Sequence, residues 1–330
     1  MARPVYAHVS LVGVVVMLVL AGLGTLTYFP RLPSFMGLTW QGKLRCGGVG
    51  RPAIFWEMPV TPEQDPENAF PRERDLEIAV SRESDLRKAL TREHYPRSSG
   101  YDPAWIVDVP MGPHPLWCVE SLMEVMTLEP GMRILDLGCG AAVSSIFLAR
   151  EYGVEVWAAD LWTDPTDNWE RIRTWDVADR VHAIRAEARE LPFARGFFDA
   201  VVSIGAYHYF GTEARYLAYL LEFLKPHGSV GFVTTGLDHD PGPTLPPYLA
   251  ERWTPDFFTW QSPDWWRNHW QRTGLVDIDR ADMVPGGWDD WLQWLRACDL
   301  VDRGYAPDAN MLEADQGELL GLVRMLAHRR

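Results

Sequence analysis

The sequence predicts an α/β protein built on a mostly parallel sheet of seven strands, with helices on both faces and a membrane-spanning helix ahead of it. Three observations predict it. Short apolar runs at 134–137, 154–159, 181–185, 200–204 and 229–234 alternate with stretches of helical period, a pattern that requires crossover connections and hence parallel strands. Two further strand-like stretches, 275–284 and 319–327, follow an aromatic interruption and are expected to form an antiparallel edge. Residues 9–29 (VSLVGVVVMLVLAGLGTLTYF) carry no Asp, Glu, Lys or Arg and are long enough to cross about 30 Å of hydrocarbon as a helix.

The leader, residues 1–30, is followed by a basic juxtamembrane segment and linker, 31–75. Arg3, Arg31, Lys43, Arg45 and Arg51 are the only Asp, Glu, Lys or Arg residues in the first 56 positions, although the whole chain of 330 residues has a net charge of −14. Most of these basic residues lie after the span, which by the positive-inside bias places the body on the cytoplasmic face of a membrane. A secretory signal is disfavoured by the length of the apolar run; a chain starting at Met36 or Met58 would be cytoplasmic. The remainder holds 26 basic against 45 acidic residues, so a nucleic-acid partner is excluded unless a basic face is segregated. Cys46, Cys118, Cys139 and Cys298 lie far apart, without the spacing of a zinc site or a disulfide framework.

Pro59, Pro62, Pro66 and Pro71 among acidic residues make 57–74 a stiff polar linker. The folded body, 76–330, opens with a mixed-charge surface helix over 76–94 and a loop over 95–113. Leu116, Val119, Met123 and Met126 then recur at helical spacing, with Pro130 and Gly131 expected to close that helix.

The segment RILDLGCGAAVSSIFLAR at 133–150 reads as strand, glycine turn and helix. Gly138 and Gly140 leave room for a ligand to approach the backbone, and the helix start offers free N–H groups. Asp136 stands two residues before the first glycine, suited to face a cationic amino group or to cap the helix. Asp160 ends the next strand (VWAAD), where a carboxylate can take two ribose hydroxyls. An acid so close to a pyrophosphate would be repelled, so a zwitterionic nucleoside without phosphate fits both acids, which describes S-adenosylmethionine.

On these residues the chain resembles the class I S-adenosylmethionine-dependent methyltransferases, which have a Rossmann-like fold, over about residues 85–330. AEARELPF at 186–193, FDAVVSIGAYHYF and LKPHGSVGF are similar to that family's adenine-side motif, fourth strand and fifth strand. DLW after the second strand and SPDWW further on are similar to bacterial methyltransferase-domain proteins related to cyclopropane-fatty-acid synthases. The resemblance implies that Gly138, Cys139 and Gly140 border the methionine moiety, Asp136 its amino group, Asp160 and Leu161 the ribose, and Glu187 and Ala188 the adenine, with Ser203 on the fourth strand beside them. Ala141 and Ala142 depart from it, standing where a third glycine is frequent.

Methyl transfer is an in-line displacement that needs a base only if the acceptor must lose a proton. His208, after the fourth strand, is the candidate base, against the alternative that it packs in the aromatic wall of Tyr207, Tyr209 and Phe210. Asp164 and Pro165 read as a helix cap rather than metal ligands, and no metal is expected. Eight of the sixteen tryptophans fall between 253 and 294, within a cap region expected at 245–300 that either lines an apolar pocket or packs two helices. The expected function is methylation of a small-molecule or lipid-like acceptor, with a cyclopropane synthase-like enzyme, a nicotinamide oxidoreductase and a non-catalytic S-adenosylmethionine-binding membrane protein as rivals.

Overall fold

The computed structural model describes residues 73–108 and 112–330. Among them is a seven-stranded sheet whose order is β3-β2-β1-β4-β5-β7-β6. Strand β1 (Arg133–Leu137) lies at its centre, flanked by β2 (Glu155–Asp160) and β4 (Phe198–Ile204); β3 (Val181–Arg185) forms one edge. Beyond β4 lie β5 (Leu224–Leu237) and then β7 (Leu320–Arg329), antiparallel to both β5 and the edge strand β6 (Val276–Met283). The five expected parallel strands and the antiparallel edge are therefore present. β5 runs further in both directions than its apolar run, because Leu237 pairs with Leu320 and Leu224 with Phe198, partners remote in sequence.

Successive strand residues face opposite layers. Ile134, Val156, Ala200 and Val202 join one core with α3 (Pro115–Met123), α4 (Val143–Tyr152) and α10 (Gly287–Asp299). Leu135, Phe198 and Val201 join the other with α7 (Tyr216–Leu221) and α9 (Pro263–Gln271). Burial on both faces is why these strands read as continuous apolar runs rather than alternating ones.

Several boundaries differ from expectation. The first helix, α1 (Glu73–Leu90), ends before His94, and the expected loop contains α2 (Pro103–Val107), capped by Asp102, whose side chain accepts from the Ala104 N–H. Helix α3 stops at Met123, well short of Pro130. Gly131 instead takes φ +82° and donates its N–H to Gly153 O, so Pro130 and Gly131 turn the chain into β1.

The 245–300 stretch is not a single cap: it contains β6, and α9 within it packs beneath the sheet with Trp266 and Trp270 fully buried. Trp294 on α10 is also fully buried and donates Nε1–H to Gly112 O at 2.7 Å. No helix among the described residues is long and apolar enough to cross a membrane. The expected span at 9–29 and the linker up to residue 72 lie outside the described residues.

Candidate functional site

Strands β2 and β4 leave β1 in opposite directions across the sheet, so the carboxyl end of β1 is the point where the strand order reverses and a crevice opens. A cleft of about 240 Å³ lies there. Among its walls are Gly138, Cys139, Gly140, Asp160, Leu161, Glu187 and Ala188, seven of the ten residues expected at the site. Asp136, Ser203 and His208 are not on its surface.

The glycine turn is tied down by backbone bonds: Gly138 and Cys139 donate their N–H groups to Ala159 O, at 2.8 and 3.2 Å. Gly138 has φ +75°, and a Cβ on it would stand 2.4 Å from Ala206 Cβ. The glycine is thus required by the left-handed backbone and by close packing against the β4 loop, rather than by ligand approach alone. Ala142 adopts φ +58° just before α4, which is the physical reason a third glycine suits this loop. Burial pushes the Cys139 thiol well above its ordinary pKa, so it is a neutral wall group.

Asp136 is completely buried. Its Oδ2 accepts hydroxyl hydrogen bonds from Ser144 and Ser145, both 2.6 Å, so side chains of α4 hold it where helix-capping N–H groups were the alternative. Its Oδ1 has no partner among the described residues. Burial pushes its pKa up to about 6, partly offset by the two serine bonds. Ser144 lines the cleft, and this hydroxyl connects the buried carboxylate to the ligand space. Neither serine was singled out from sequence; the signal was a polar pair on the otherwise apolar face of the helix after the turn.

Asp160, nearly buried, accepts the Gly140 N–H on Oδ2 at 2.9 Å and the N–H groups of Trp162 and Thr163 on Oδ1, each at 2.8 Å. It clamps the glycine turn to the loop after β2. A carboxylate offers about four acceptor positions, so the three backbone bonds leave capacity on Oδ2 for a ligand hydroxyl. Glu187 is bridged to Arg189 Nη1 at 2.9 Å, and Arg189 also pairs with Glu213. Arg189 lines the cleft together with Trp162, Tyr209 and Phe210. Arg189 was missed because nothing in its local sequence distinguishes it from a solvated surface arginine.

Ser203 donates its hydroxyl to Leu137 O at 2.7 Å and stays inside the sheet. His208 begins the short helix α6 (His208–Gly211), is buried, and shares a short hydrogen bond through Nδ1 with Thr234 Oγ1. Burial lowers its pKa to about 4. It therefore packs behind Tyr209 and Phe210 instead of facing the cleft as expected. Asp164 caps α5 (Pro165–Thr174), accepting the Thr166 N–H at 2.8 Å, and among the described residues there is no cluster of metal-ligand type.

The arrangement fits a cationic nucleoside: a buried carboxylate with an unpartnered oxygen, a second carboxylate with spare acceptor capacity, and, among the described residues, no Lys or Arg at the glycine turn for a phosphate to meet. Comparison with known proteins agrees. Residues 134–228 match the methyltransferase domain family. The glycine/sarcosine/dimethylglycine N-methyltransferase of Actinopolyspora halophila is 29% identical over 62% of this chain and 34% of its own length. The demethylmenaquinone methyltransferase of Listeria welshimeri is 33% identical over 39% of this chain and 55% of its own. The chain thus spans only about a third to just over half of these curated relatives. Among solved structures, phosphoethanolamine N-methyltransferase 2 of Haemonchus contortus in complex with S-adenosyl-L-methionine superposes with a TM-score of 0.55 at 19% identity, covering 74% of this chain and 59% of that one.

The chain thus carries a methyltransferase-domain match over residues 134–228, set in a sheet of the class I, Rossmann-like type. The cofactor of that domain is S-adenosylmethionine.

Proposed function

We propose that this protein transfers the methyl group of S-adenosylmethionine to a small-molecule acceptor. The observation that carries the reading is Asp136: a fully buried carboxylate with one unpartnered oxygen, joined to the cleft through Ser144. Burying such a charge is unfavourable in the free protein, and a cationic ligand compensates it. The relatives named above support a small-molecule acceptor, since their names specify glycine and sarcosine or a demethylmenaquinone.

When bound, the cofactor supplies an electrophilic methyl carbon. Asp136 and the serine pair hold its cationic end, Asp160 takes a ribose hydroxyl, and Leu161, Ala188 and the Glu187–Arg189 bridge frame the base. Tyr209, Phe210, Pro113 and Pro115 close the other walls of the cleft and exclude water, so that acceleration comes from alignment of the reacting atoms. His208, neutral at pH 7 and committed to Thr234, positions α6 and takes no proton from the acceptor.

Calorimetric titration with S-adenosylmethionine, followed by a screen of metabolites for release of S-adenosylhomocysteine, tests the reading. Cofactor binding without turnover on any acceptor would replace it with a binding role. We also propose that residues 9–29 anchor the chain as a single span with the body on the cytoplasmic face. Fractionation that leaves the full chain wholly in the soluble pool would refute the anchor.

A further inference from the structure

A second cavity of about 420 Å³ lies beyond the carboxyl end of β5, lined by the aromatic segment that follows it. Trp253, Phe257, Phe258, Trp260 and Trp265 line it, with Asp240 among the lining residues. The rings are set at angles to one another: Trp253 to Phe257 at 5.4 Å and 47°, Trp253 to Phe258 at 5.9 Å and 53°, and Phe257 to Trp260 at 4.2 Å and 62°. Their exposure is graded, from 8% for Trp260 to 63% for Phe258, as in a cavity with a floor and an open mouth.

Its charge is one-sided. Among the described residues no Lys or Arg lines it, and the one basic group that does, His239, has its Nδ1 3.2 Å from Asp238. The exposed Asp240 accepts the Gly242 N–H through Oδ1 at 2.8 Å, which fixes the loop that carries it. Aromatic faces carry negative potential and attract a diffuse cation within about 6 Å of the ring centroid; a carboxylate nearby adds to that field. A phosphate or carboxylate ligand would find no cationic partner here and would meet Asp240 as a like charge.

The cavity also adjoins the cofactor cleft through the fold. The turn Pro255–Thr259, which supplies Phe257 and Phe258, packs against α6, whose Tyr209 and Phe210 line the cleft.

We propose that this cavity binds an alkylammonium group, of the class that choline represents, carried by the acceptor as a recognition handle, the methylated atom lying elsewhere on that molecule. The proposal rests on the methyl-transfer reading for the ligand's being the acceptor, but not for the recognition itself.

The test is calorimetric titration of the full chain with choline and with 3,3-dimethylbutan-1-ol, its neutral isostere, each with and without S-adenosylmethionine. Choline is expected to bind at least about tenfold more tightly than the isostere. Trp253→Ala and Asp240→Asn are each expected to weaken choline about threefold or more, leaving cofactor affinity unchanged. Should Trp253→Ala fail to fold, Phe258→Ala at the exposed mouth serves in its place. Equal binding of the two ligands, no choline binding up to tens of millimolar, or unchanged affinity in the variants overturns the proposal. Choline binding without methyl transfer to any acceptor that carries an alkylammonium group would instead overturn the ligand's assignment as acceptor while leaving the cage intact. Methyl transfer to a neutral acceptor with no choline binding would sink the cage and keep the transferase.

Discussion

Asp136→Asn separates stability from cofactor binding, because the native carboxylate is a cost in the free protein and an asset in the complex. Burial raises its pKa from the ordinary 3.8 to about 6. A difference of that size corresponds to about 3 kcal/mol against the ionised form above pH 6. Asparagine resembles the protonated acid, keeps an acceptor for Ser144 and Ser145, and removes the penalty. The cofactor-free variant should therefore be more stable than wild type at pH 8 by up to about 3 kcal/mol, or roughly 6 °C or more in Tm for a domain of this size. The sign follows from the raised pKa: the penalty is full above pH 6 and absent below 3.8, so the two melting temperatures should converge as pH falls between those values. Cofactor affinity should move the other way. A charge acting over about 6 Å at an effective dielectric near 20 contributes roughly 2 to 3 kcal/mol, so Kd should rise about thirtyfold or more. Scanning calorimetry from pH 4 to 8 and isothermal titration with S-adenosylmethionine read both effects. A Tm difference that does not vary with pH, or an unchanged Kd, refutes the assignment of a buried ionised carboxylate that acts on the ligand's cation from beneath the cleft.

Other perturbations test separate parts of the account. Gly138→Ala adds left-handed strain to an overlap with Ala206 and should destabilise by about 2–5 kcal/mol in denaturant melts; adding Ala206→Gly should recover the overlap part but not the strain. Burial lowers the pKa of His114 to about 3 and of His208 to about 4. These lowered values make both rings favour the neutral folded form, so their contribution is complete above about pH 6.5 and is lost as pH falls toward 4 and 3; His208→Gln should blunt the loss of Tm between pH 6.5 and 4. The same variant should retain turnover with an unshifted pH profile, and loss of a limb near neutral pH would restore His208 as a proton acceptor. Asp164→Ala should lower the Tm slightly through its lost cap, and chelators should leave activity unchanged; inhibition by a chelator would indicate a metal.

Much of the fold was legible because the central strands are buried on both faces, which writes uninterrupted apolar runs such as ILDL and VWAA between stretches of helical period. The glycine turn and its two acids were legible because Gly138, Asp136 and Asp160 answer local requirements: a left-handed residue and carboxylates at strand ends. Less legible were features set by partners far away in the chain. The end of α3 at Met123, the length of β5 and the burial of Trp266 and Trp270 all depend on elements joined by packing rather than by proximity in sequence. His208 shows the same limit: its position after β4 suggested the cleft, and only the course of β5 reveals Thr234 as its partner.

By itself, then, the sequence determined the class of sheet, the place of the crevice and the acids at its edge, since periodicity and turn chemistry are local properties. Tertiary structure alone decided which of those acids lies on the wall of the cleft and which lies beneath it. It also decided that the tryptophan-rich stretch divides, Trp266 and Trp270 entering the core while Trp253, Trp260 and Trp265 wall a cavity. Burial and the electrostatic field at a side chain are sums over neighbours from several elements, and the chain order does not disclose them.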